Sequence, residues 1–263
     1  MKKSKQWDKN YSSISQNEAF LLSLVKTHDF PVFGVRELHS LSGWRRTRLH
    51  NTLFSLVKKN VLTRIKRDAY TLTDRLNENL FEIATAVVVP SYISFWTALS
   101  YYGFTEQQIR TVQLASTKQV NDLRFNSHVL HIITFQPREF YGYKRINGFV
   151  IAEKEKVLID SLFQLETCGG LNEYVKCLRN AWNELNKKIF VRYLKMFRNR
   201  SLISRMGYLV EQLEVNHAHI LKPLERERSV CPIKLNPRRQ RTGEYNGRWN
   251  VVVNEQIVME DIR

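Results

Sequence analysis

Between residues 15 and 27, Phe20, Leu21, Leu24 and Val25 fall at helical spacing, which predicts a helix, and Ser15 with Glu18 three residues on forms a capping-box arrangement at its start. Residues 28–34, with Pro31, break the pattern. Val35–Ser42 resumes it as a short helix, and Gly43 suits the tight turn between two crossing helices. Residues 45–60 predict a third helix with Leu49, Leu53, Leu56 and Val57 on one face. Residues 61–65 and 69–73 read as two short strands joined by a polar turn at residues 66–68. Helix, helix, turn, helix, hairpin is the order of a winged helix-turn-helix.

From about Leu80 the pattern mixes helices and strands. Residues 79–88 and 91–102 predict helices, the second closing at Gly103; Thr111–Ser116 and residues 129–135 predict strands, and residues 149–152 suggest another. Residues 153–165 are amphipathic through Val157, Leu158, Ile159, Leu162 and Phe163, and helices dominate to about Leu221. Residues 231–254 look extended, with 249–253 the best strand because β-branched and aromatic side chains suit a pleated, half-buried surface. The expected fold class is α+β: a winged helix-turn-helix domain over residues 1–78 and a larger mixed domain over residues 79–263, a division that the length of 263 residues also suggests.

Charge turns this architecture toward a partner. The chain carries a net +16, and residues 1–80 hold 15 basic and 7 acidic side chains against 26 and 18 in the remainder, so charge density is about twice as high at the N-terminal end. Trp44 through Arg67 contain eight basic residues and no acid, whereas a solvated helix face usually intersperses Glu. On the third helix Thr47, Arg48, Asn51, Ser55 and Lys58 are expected opposite the apolar face, with Arg45 and Arg46 in the exposed first turn and Arg64, Lys66 and Arg67 on the hairpin. Arg can bond guanine with two donors and Asn can bond adenine in the same way, while Thr, Ser and the hairpin cations suit the phosphate backbone. Double-stranded DNA is the expected partner. Trp44 is read as a hydrophobic staple in preference to a groove contact. A second basic stretch from Lys187 to Arg205 places Lys188, Arg192 and Lys195 on one helical face, with Arg198 and Arg200 beyond; phosphate, an acidic partner or plain solvent suit it equally. Arg238, Arg239 and Arg241 add a further possible contact in the tail.

Other chemistries find less support. Glu153, Lys154, Glu155, Lys156 and Asp160 invite a nuclease reading, but no acid stands two residues before a suitably placed lysine, and pairing of Lys156 with Asp160 one helical turn away explains the segment more simply. The pairs His128 with His131 and His217 with His219 lack acidic or Cys partners at ligand spacing, so no metal is expected. Gly-rich phosphate loops and Ser or Cys nucleophile signatures are absent, and no cofactor is expected. Cys168, Cys177 and Cys231 match no zinc or redox spacing and suggest a reducing cytoplasm. Residues 1–10 are basic without an apolar signal core, and the longest apolar run, residues 83–90, is too short for a bilayer.

Several phrases together resemble the AbiEi-type antitoxins, transcriptional regulators of abortive-infection operons. They are Trp96-Thr97-Ala98-Leu99-Ser100-Tyr101-Tyr102-Gly103-Phe104-Thr105 with Gln107, Leu114-Ala115-Ser116-Thr117-Lys118, the stretch from Ala152 through Asp160, and Arg205-Met206-Gly207-Tyr208-Leu209. The resemblance departs at Asp68-Ala69-Tyr70, where the family commonly has a Gly before the aromatic, leaving the turn and its DNA contact open. It implies a non-enzymatic protein that binds repeats upstream of its operon, represses it, and counteracts a co-encoded nucleotidyltransferase-like toxin without a required stable complex. The competing expectation is a second domain that acts as an enzyme or RNA-binding module, docked by the winged helix.

Overall fold

A computed structural model describes residues 14–76, 78–107, 110–213 and 218–258. The basic segment at residues 1–10 and His217 lie outside them. The N-terminal unit comprises α1 (Gln16–Thr27), α2 (Val35–Ser42), α3 (Arg46–Lys58) and a hairpin of β1 (Leu62–Lys66) and β2 (Ala69–Leu72). The expected capping box starts α1: the Ser15 N–H donates to the Glu18 carboxylate at 2.6 Å and the Glu18 N–H donates to the Ser15 hydroxyl. Gly43 ends α2 in a left-handed conformation (φ +67°) that a Cβ would strain. Leu21, Leu22 and Val25, Leu38, Leu49, Leu53, Leu56 and the hairpin's Leu62 and Tyr70 share one buried core. On α1, Leu22 takes the buried place expected of Phe20, whose ring instead stacks on Trp44 at 5.2 Å.

The fold is α+β, as the hydropathy pattern implies. Six strands form the central sheet: β3 (Ser91–Ile93), β4 (Thr111–Ser116), β5 (Leu123–Phe125), β6 (His128–Thr134), β7 (Tyr143–Ile146) and β8 (Phe149–Ala152), in spatial order β5-β6-β4-β3-β8-β7. The inner pairs β4 with β6 and β3 with β8 are parallel, while β3 with β4 and both edge pairs are antiparallel. Around this sheet pack α4 (Leu80–Val87), α5 (Phe95–Tyr101), α6 (Lys154–Phe163), α7 (Leu171–Ala181), α8 (Lys187–Met196), α9 (Arg200–Glu211) and α10 (Ala218–Glu225).

Residues 91–93, read as the first turn of a helix, form the central strand β3. Tyr92 and Ile93 are fully buried between β4 and β8, and Ser94 then precedes α5 in an extended conformation. Strands of three and four residues such as β3, β5 and β7 are too short for a period to declare itself.

The tail folds back as β9 (Ile233–Lys234), β10 (Glu244–Asn246) and β11 (Val251–Val253) in a three-stranded sheet. Trp249 is fully buried and packs on α9 at Gly207, where an added Cβ would come within 2.2 Å of the indole. Its ring N–H donates to Glu211 at 3.0 Å. The Arg205-Met206-Gly207 phrase thus carries a structural task, since the Arg205 guanidinium also ties α9 to the Lys234 carbonyl.

The hairpin joins the two units. Leu62 and Tyr70 face the N-terminal core, whereas Ile65 and Ala69 belong to the larger one. Asn126 donates to the Thr63 hydroxyl at 3.1 Å, and the Lys66 ammonium donates to the Val87 carbonyl at 2.8 Å. The boundary expected at residues 78 and 79 falls between a short 3-10 turn, Thr73–Leu76, and α4. Among the described residues no helix is long and apolar enough to cross a membrane.

Candidate nucleic-acid interface

Helix α3 turns by about 100° per residue, so its buried stripe of Leu49, Thr52, Leu53 and Leu56 fixes where every other side chain points. Thr47, Asn51, Phe54 and Lys58 lie opposite that stripe and are exposed. Arg46 and His50 occupy the flank toward the hairpin, and Arg48 and Ser55 the flank toward α1. Between α3, the start of α2 and the hairpin lies an open cleft of about 880 Å³ lined by Arg36, Arg46, His50, Asn51, Phe54, Arg64 and Arg67, with Val35, Val57, Asp68 and Tyr70.

The structure therefore brings together Arg46, Asn51, Arg64 and Arg67 of the expected set. Arg45, at the N-cap of α3, Thr47 and Lys58 are exposed beside the cleft without lining it. Three residues are directed elsewhere. Arg48 donates to the Asn17 side chain at 2.5 Å and holds its guanidinium over the Trp44 ring at 3.7 Å. Ser55 is half-buried beside the Glu18 carboxylate, and Lys66 is committed to Val87. Trp44 packs on Phe20, consistent with a packing role at the helix start. Arg36, His50 and Phe54 also line the cleft, although residue type does not single them out; the i, i+4, i+8 spacing of Arg46, His50 and Phe54 places all three toward the hairpin side of the helix.

The turn at Asp68-Ala69-Tyr70 has a local explanation. Asp68 adopts the left-handed conformation (φ +56°), which Asp tolerates better than most residues, and its carboxylate accepts the Val35 N–H at 2.7 Å. The hairpin tip thereby caps α2 and fixes Arg67 at the cleft rim. Gly34 permits this approach, because a Cβ there would stand 2.6 Å from the Asp68 carbonyl oxygen.

Behind α3 an ion pair between buried Glu18 and half-buried Lys59 ties the helix to α1. Glu18 lies 2.7 Å from the Lys59 ammonium. Burial alone would raise its pKa, but hydrogen bonds from Lys59, Ser55 and Ser15 hold it well below the usual carboxylate range, at about 2. A depressed carboxyl stabilises the fold above its unfolded pKa near 4.5, and that contribution is lost as pH falls toward 2. Glu18→Gln is expected to cost roughly 3 kcal/mol at neutral pH and to flatten the acid limb of the unfolding curve between pH 4.5 and 2. Urea unfolding of both proteins across that range checks this; parallel curves would contradict it.

The segment from Glu153 to Asp160 forms no open site. Lys156 and Asp160 pair one turn apart on α6, as the spacing suggests, and both are fully buried. Asp160 also accepts from the Ser94 hydroxyl at 2.7 Å and the Tyr92 hydroxyl at 3.1 Å, and the Lys156 ammonium sits over the Phe135, Tyr141 and Phe197 rings. Burial pushes Asp160 up and Lys156 down, each opposed by the attraction of the other. Glu155 accepts from the Asn186 N–H at 2.6 Å and Glu153 from the Tyr193 hydroxyl.

The second basic stretch is only partly available. Lys187 folds back onto the Trp182 carbonyl, Arg205 is half-buried and donates to the Lys234 carbonyl, and Lys195 lies 3.4 Å from Glu227, leaving Lys188, Arg192, Arg198 and Arg200 exposed. In the tail, Arg238 pairs with Glu166 and Arg239 with Glu255. His131 has a partner that sequence spacing hides, Asp122 at 2.9 Å across the β5–β6 connection. Among the described residues no group of three or more His, Cys, Asp or Glu side chains is arranged to hold a metal ion.

No protein-family model matches the sequence, and no curated protein matches it. Among solved structures, the chain is similar to the crystal structure of the RV2827C protein from Mycobacterium tuberculosis, with a TM-score of 0.61, covering 90% of this chain and 91% of that chain at 11% sequence identity. The two share a fold across nearly their whole lengths.

Proposed function

We propose that this protein is a sequence-specific double-stranded DNA-binding repressor, with α3 as the helix that enters the major groove and the hairpin as its wing. The observation that carries this reading is the cleft that Arg46 and Asn51, the residue types suited to bidentate bonds with guanine and adenine, line together with Arg64 and Arg67, cations suited to phosphate. An α-helix fits the width of the B-DNA major groove, and a wing beside it adds backbone contacts. The resemblance to AbiEi-type antitoxins extends the proposal: a non-enzymatic cytoplasmic regulator that represses its own operon and counteracts a co-encoded nucleotidyltransferase-like toxin.

The two halves of this proposal separate experimentally. A reporter driven by the DNA upstream of the gene should be repressed by the full-length protein, and loss of repression on replacing Arg46 and Asn51 with alanine supports the assigned face. Co-expression with the neighbouring toxin gene should restore growth. Continued arrest with abundant protein present would overturn the antitoxin role while leaving the repressor role standing.

A further inference from the structure

Phe54 is the most exposed aromatic side chain among the described residues, at 73%, and no other aromatic ring stacks on it there. It stands in the middle of the outward face of α3, between Asn51 and Lys58, and lines the cleft with Arg46, Arg64 and Arg67. A phenylalanine left in water amid cations contributes nothing to the core, whose stripe on this helix is already complete with Leu49, Leu53 and Leu56. A partner for this position needs anionic edges to meet the arginines and an apolar point on its floor to meet the ring. A DNA major groove has both: phosphates along its rims and, at each thymine, a C5-methyl group on its floor.

We infer that Phe54 is a specificity-determining residue that reads the C5-methyl of a thymine within the bound site. This rests on the proposal that α3 enters the major groove, and it adds an apolar element to the polar pattern of Arg46 and Asn51. Contact between ring and methyl removes apolar surface of both from water. Loss of one buried methyl corresponds to about a four-fold change in affinity.

The test uses a duplex selected by the full-length protein from a random pool. Each thymine in the selected motif is replaced singly by deoxyuridine, which pairs with adenine in the same way and lacks only the methyl. The wild type is expected to lose about four-fold in affinity at one thymine of each half-site or single site. Phe54→Ala should bind the parent duplex more weakly and show no penalty at that same position, with Phe54→Leu intermediate; the side chain's exposure keeps all three folded. A motif without thymine, a wild type indifferent to every replacement, or an equal deoxyuridine penalty in wild type and Phe54→Ala would overturn the assignment while leaving major-groove recognition intact. Failure to select any motif would remove the underlying proposal, and this inference with it.

Discussion

Replacing Asp160 with alanine is expected to lower stability by about 3–5 kcal/mol, because it leaves the Lys156 ammonium in the core without its counter-charge. Desolvation already weighs against both charges, and the pair is tolerable only through its mutual attraction and the hydroxyls of Ser94 and Tyr92. Lys156→Met should be costly for the mirror-image reason. Combining Lys156→Met with Asp160→Leu removes both charges, so the double is expected to lose far less than the two singles summed. What remains is the cost of leaving the buried Ser94 and Tyr92 hydroxyls without their acceptor, about 1–3 kcal/mol each. Urea unfolding of the singles and the double gives the coupling directly. Losses that simply add would contradict a coupled pair.

In binding, Arg46→Ala and Asn51→Ala are each expected to lose about 1–3 kcal/mol of discrimination between the selected duplex and single-base variants. Arg64→Ala and Arg67→Ala should weaken selected and scrambled DNA alike, each reducing the salt slope by about one. Arg48→Ala is the informative control. From sequence alone it stands beside Asn51 as a candidate reader, but its guanidinium is stacked on Trp44 and bonded to Asn17. Its loss should leave discrimination near the wild-type value. Competition binding against the variant duplexes checks all five. Lost discrimination in Arg48→Ala with Arg46→Ala and Asn51→Ala unaffected would mean that the flank facing α1, not the cleft, meets the bases.

The N-terminal unit was legible because its determinants are local. Ser15 and Glu18 announce a cap, Gly43 a left-handed stop, and the Leu49, Leu53 and Leu56 spacing a buried stripe. What stayed hidden depends on where neighbouring elements lie. The flank of α3 carrying Arg48 and Ser55 is distinguishable from the flank carrying Arg46 and His50 only once α1 is known to cover the first and the hairpin to face the second. Lys66 reads as a wing cation until Val87 is seen to accept from it. In the second domain β3 is three residues long and declares itself through its partners, Leu114, Ala115 and Ile151 among them, not through any period of its own. The Lys156–Asp160 spacing pointed to a pair but carried no sign of its burial, which comes from Tyr92, Phe135, Tyr141 and Phe197, residues scattered over more than a hundred positions.

Whether the cleft beside α3 recognises a DNA sequence, as proposed, is decided by selection from a random duplex pool with the full-length protein. Affinity for the winning sequence and for a scrambled one is then measured across a salt series. A recurring motif is expected whose advantage over scrambled DNA persists at physiological salt, since base contacts add discrimination that counterion release does not supply. Binding that ignores sequence and collapses equally for both duplexes as salt rises would contradict it, and would reduce the positive charge around the cleft to a non-specific electrostatic grip.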